Sequence, residues 1–179
     1  VPKAYTLKEA AKPKLIFREV SNTESPSGLH PTNRRFALAI YTAYHELLSE
    51  CCVYLDSLVA NDGQVIPTAH LPKPLLTREG ELRAKGDGQA RFRMRPQQRK
   101  IIGLFDRLDG HQSEIFFCFE GESEPFWSFM LLHFNDLTAT IIAYGAPSPT
   151  SVTLHIYLDD KNKTHVERVA PIGDTIGHS

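Results

Sequence analysis

Apolar residues recur through residues 33–60 at spacings of four and three: Phe36, Ile40, Tyr44, Leu47, Cys51, Leu55 and Leu58. Such spacings fall on one face of a 3.6-residue repeat, so the pattern predicts one long amphipathic helix. Tyr41, Leu48, Cys52 and Val59 widen the stripe, Thr32 or Asn33 supplies a cap, and Asn61-Asp62-Gly63 supplies a stop. At 1.5 Å per residue this helix would run about 42 Å. A sheet of about six strands spaced 4.8 Å apart would be only about 24–29 Å across. One end of the stripe would then overhang the sheet and need another partner.

Beyond residue 88 the apolar period changes to two. Ala90, Phe92 and Met94 alternate with Arg91, Arg93 and Arg95, which predicts a strand with one buried and one basic face. Residues 100–108 and 114–120 flank the turn Asp109-Gly110-His111 and read as a hairpin. Residues 115–119 are apolar on both faces, as in a strand covered on both sides. Residues 126–134 and 137–144 meet at Asn135-Asp136. Residues 151–158 set Val152, Leu154, Ile156 and Leu158 on one side, and residues 164–169 form a last edge strand that Pro171 ends.

The expected fold is therefore α+β: one long amphipathic helix packed across a curved antiparallel five- to seven-stranded meander sheet, with an extended N-terminal arm. Residues 1–32 carry four prolines and one apolar patch, Leu15, Ile16 and Phe17, and read as that arm. Residues 33–170 form a single domain and residues 171–179 a polar tail. Residues 62–88 are a long connector of the kind that binds something or packs over a core. In topology the layout resembles cone-shaped and hotdog-type helix-on-sheet folds, which implies a ligand pocket but no particular chemistry.

Composition narrows the function classes without choosing one. In 179 residues, 41% are hydrophobic and 23% charged, ordinary values for one globular domain, and the net charge is −1. That neutrality conceals two blocks. Residues 78–100 hold eight basic side chains against three acids, and residues 106–136 hold seven acids against Arg107 alone. The blocks either neutralise each other across neighbouring strands or leave a basic face for a polyanion. Three cysteines, two of them adjacent, make no disulfide framework and indicate a reducing intracellular compartment. The start at Val1 instead of Met suggests that an N-terminal piece has been removed, and with the reduced thiols this is compatible with an imported organellar protein, the mitochondrion being the compartment expected. No run of roughly 20 apolar residues predicts a membrane-spanning helix.

Few residues carry candidate chemistry. Eight histidines and three cysteines show no paired spacing of a zinc site, so no metal and no cofactor is expected. Cys118 sits between Phe117 and Phe119, the setting of an inert buried thiol, and Asp106, Asp109 and His111 are turn formers. The strongest pattern is Arg91, Arg93 and Arg95 on one strand face, followed by Arg99 and Lys100. Guanidiniums suit phosphate, and no aromatic ring shares that face, so contact with RNA would be to its backbone. Leu15, Ile16 and Phe17 are a docking patch for the domain itself or a neighbour. These features point to a non-catalytic accessory subunit of a larger multiprotein assembly, with protein partners and a contact to RNA. The alternative is a small-ligand-binding protein or enzyme with a pocket between helix and sheet.

Overall fold

The computed structural model describes residues 15–26, 33–42, 45–63, 66, 71–75, 91–108, 114–117, 119, 131–133 and 135–169. Eleven strands lie among them: β1 (Ile16–Pro26), β2 (Asn33–Tyr41), β3 (Leu48–Ala60), β4 (Lys73–Pro74), β5 (Phe92–Met94) and β6 (Arg99–Leu108), then β7 (Glu114–Phe117), β8 (Leu131–His133), β9 (Asp136–Tyr144), β10 (Thr150–Leu158) and β11 (Thr164–Arg168). The described residues contain no helix, which overturns the α+β expectation and its long amphipathic helix. With the helix goes its overhang, and with it the pocket between helix and sheet.

The misreading has a physical origin. Residues 33–60 form two strands, and a spacing of four is common to both repeats: Phe36 and Ile40 face inward with Leu38 between them. In β3 the buried positions are Leu48, Cys51, Val53, Leu55 and Leu58. Their two spacings of three coincide with irregularities in strand pairing, between Leu48 and Cys51 against β5 and between Leu55 and Ser57 against β9. A bulge inserts one residue and flips the parity of everything beyond it, so a bulged strand mimics helical spacing. Leu47 and Val59, counted in the helical stripe, are 52% and 56% exposed.

The strands form two antiparallel sheets, not one meander. The first runs β1-β2-β6-β7-β8, and the second runs β11-β10-β9-β3-β4 with β5 also on β3. In each, a three-strand meander (β6-β7-β8 or β9-β10-β11) lies beside an earlier strand, β2 or β3, that returns through a long connection. In both sheets these four strands therefore lie in chain order, and the long connection between the earlier strand and the meander carries strands of the other sheet. Their inner faces share one apolar cluster, with Leu38 and Ile102 from the first sheet and Leu55, Ile141 and Leu154 from the second. This is a β-sandwich. Along one edge the sheets are tied by polar groups: Arg107 Nη1 donates to Thr164 Oγ1 at 2.8 Å, and Arg168 Nη2 donates to the Phe17 carbonyl at 2.5 Å.

The β10–β11 hairpin is closed by Asp159. Its Oδ1 accepts from the amides of Lys161 and Lys163 at 2.8 and 2.9 Å, and its Oδ2 meets His165 Nε2 at 2.8 Å. These contacts, the His165 bond foremost, lower its pKa from 3.8 to about 2. A carboxyl held lower in the folded state stabilises above its unfolded pKa, and that contribution fades as pH falls through the folded value. Asp159→Asn is therefore expected to lower the melting temperature at pH 7 and to flatten its fall between pH 4 and pH 2. Parallel melting curves for the two proteins across that window would refute this role.

Candidate polyanion-binding surface

β5 is short and antiparallel to the start of β3, with Leu48 opposite Met94 and Cys51 opposite Phe92. Phe92 and Met94 enter the core, so alternation turns Arg91, Arg93 and Arg95 outward, and all three are exposed. The Arg91 guanidinium donates to Glu50 Oε2 at 2.7 Å, and this hydrogen bond holds its proton more tightly than usual. Both side chains are well exposed, so the pair orients Arg91 more than it stabilises the fold. Among the described residues Arg93 and Arg95 have no ion pair. The turn after β5 is fixed: Gln98 donates its amide to the Arg95 carbonyl at 3.0 Å, and Arg95 donates its amide to Gln98 Oε1 at 2.8 Å. Gln97 sits between them at φ 58°.

The other residues of the basic run go elsewhere. Lys100 is buried, with its ammonium 4.8 Å from the Phe92 ring. Arg99 is paired in register with Tyr41, on the outer face of the first sheet. The five basic residues are thus distributed over two sheets and the interior, and only Arg91, Arg93 and Arg95 share a surface. The patch Leu15, Ile16 and Phe17 divides similarly. Leu15 and Phe17 are buried in the domain's own core, and Ile16, 38% exposed, lies opposite Tyr41, whose ring carries the Arg18 guanidinium at 4.6 Å.

Two tyrosines belong to the basic surface, and the helical reading of residues 33–60 concealed one of them. Tyr54 lies outward on β3 and Tyr144 ends β9, with ring centroids 5.7 Å apart at 83°. Cys52, the residue opposite Tyr144, lies between Tyr144 and Arg91. Arg91 is close enough to favour the ionised forms of both Cys52 and Tyr54, although burial leaves both groups harder to ionise than usual. The signal for this arrangement was present in the two-residue period of Cys52, Tyr54 and the buried residues between them.

Other candidate groups do not converge. His133 is on β8 and His155 on β10, in different sheets, and His155 Nε2 meets Asp136 Oδ1 at 2.6 Å. Burial pushes the Cys51 thiol up to about 11, an unreactive state. Cys118, Asp109 and His111 lie outside the described residues. Among the described residues no three His, Cys, Asp or Glu side chains are grouped to hold a metal ion, and no helix is long and apolar enough to cross a membrane. Compared with known proteins, the chain matches no family model, no curated protein and no solved structure.

Proposed function

We propose that the chain is a non-catalytic accessory subunit of a larger assembly, in which the 91–95 segment grips a polyanion. The observation that carries this reading is the pair of exposed guanidiniums, Arg93 and Arg95, with no ion pair among the described residues, on a strand and turn held rigid by backbone contacts. Among the described residues, no carboxylate of the acidic block pairs with them. Among the described residues, the carboxylate bonded to this arginine row is Glu50 of β3, and it serves Arg91. The planar fork of a guanidinium meets two oxygens of a phosphate or carboxylate at once, which favours binding.

Binding of the full chain to inorganic polyphosphate, followed across a salt series, tests the site. In the Arg93→Ala, Arg95→Ala double variant the slope of log affinity against log salt should fall by about 1.4–1.8. The melting temperature should stay close to the parent's, since both side chains are exposed. An unchanged slope would remove these residues from the interface. Fractionation from the native source tests the subunit role: the chain should elute in a multi-chain complex. Elution as a monomer with a tightly bound small molecule would overturn the reading.

A further inference from the structure

We propose that the polyanion is a single-stranded nucleic acid, bound on the outer face of the second sheet with a base stacked on Tyr144 and phosphates on Arg93 and Arg95; this deepens the polyanion reading and rests on it. Charge selects an anion but not its class. Bases are what an aromatic ring beside guanidiniums adds to that selection.

The geometry is specific. Cys52 pairs with Tyr144 across β3 and β9, and continuing the β3–β5 register places Arg91 on the other side of Cys52. Tyr144 and Arg91 are then two strand spacings apart, about 10 Å, with a small side chain between them. Cys52 is thus flanked by an aromatic side chain on one neighbouring strand and a guanidinium on the other. Tyr144 is 41% exposed, enough to offer a ring face. Tyr54 is the buttress. It meets Tyr144 nearly at right angles, with the ring centroids 5.7 Å apart. Two fixed rings lose little entropy on binding, and stacking is tolerant of base identity. The surface therefore suits an unpaired strand, whose bases are free to leave the backbone line. A duplex keeps its bases stacked inside and would offer Tyr144 only sugar and phosphate.

The test uses the full chain with a fluorescent oligouridylate of about ten nucleotides, and polyphosphate of matching length as a polyanion without bases. Tyr144→Ala is expected to weaken oligouridylate binding about tenfold and to leave polyphosphate binding unchanged. Tyr144→Phe, which keeps the ring, should bind like the parent. Arg93→Ala with Arg95→Ala should weaken both probes. If Tyr144→Ala leaves the preference for oligouridylate over polyphosphate intact, or if a DNA duplex binds as tightly as the single strand, the single-strand assignment fails and the polyanion reading stands. If the arginine variant changes neither probe, both fail together. Thermal melts of each variant separate lost contacts from lost folding.

Discussion

Replacing Gly145 by alanine is expected to lower stability by about 3–5 kcal/mol. Two independent costs meet there. Gly145 has φ +123°, a conformation that side-chain-bearing L residues rarely adopt. Its added Cβ would also sit 2.7 Å from the Cys51 Cα and 2.7 Å from the Cys51 Sγ. The first of those is backbone of β3, in register with β9 through the neighbouring Cys52–Tyr144 pair, so the strand cannot yield without breaking the pairing. A Cys51→Ala change would relieve only the sulfur contact. The matched control is Gly63, at φ +81° with open space around it, where alanine should cost only the backbone term of about 1–2 kcal/mol. In a chain of this size the Gly145→Ala melting temperature should fall by about 10 °C. If the two variants unfold at the same urea concentration, the close approach between β9 and β3 is not a tight one.

β5 and β9 to β11 were readable because their alternation is undisturbed. Ser151 to Leu158 buries every second residue, and so does Phe92 to Met94. The first half misled because β3 carries two pairing irregularities and β2 shares its spacing of four with a helix. Propensity argued the other way: Cys52, Val53, Tyr54 and Val59 are residues that favour a pleated surface over a helix. The division into two sheets was hidden for a different reason. Hairpin turns reveal which strands are sequential neighbours, but the pairings of β2 with β6 and of β3 with β9 join segments far apart in the chain. The same long-range pairing determines the candidate site. Arg91, Arg93 and Arg95 were legible as one exposed row, whereas Tyr144 reaches them only through β3, and Lys100 leaves them because β6 belongs to the other sheet. Local sequence named the charges, and topology supplied the aromatic ring.

Phe105→Ala should be the most damaging truncation in the first sheet, at about 3–5 kcal/mol. Phe105 is fully buried on β6, the central strand, opposite Phe36 of β2 on one side and Phe117 of β7 on the other. The three rings form one row across three strands, stacked at 4.6 Å with Phe36 and edge-on at 6.0 Å to Phe117. Removing the middle ring deprives both neighbours of a partner and leaves a cavity inside the sandwich. The extra residue of β6 at the irregularity opposite Phe36 and Ala37 adjoins this row, so Leu104 is already committed to the core and cannot fill the gap. Phe105→Leu keeps most of the volume and should cost less, about 1–2 kcal/mol, chiefly the lost ring contacts. A double-mutant cycle with Phe36→Ala should then give a coupling of about 0.5–1.5 kcal/mol, because one ring's loss spares the other's stacking. Ile101, four residues earlier on the same strand but 38% exposed on the outer face, is the reference. Its truncation should cost less than half as much as that of Phe105. Equal losses of stability in urea for Ile101→Ala and Phe105→Ala would mean that the inner and outer faces of β6 are equally buried in solution, and the row Phe36–Phe105–Phe117 would no longer mark the interior of the sandwich.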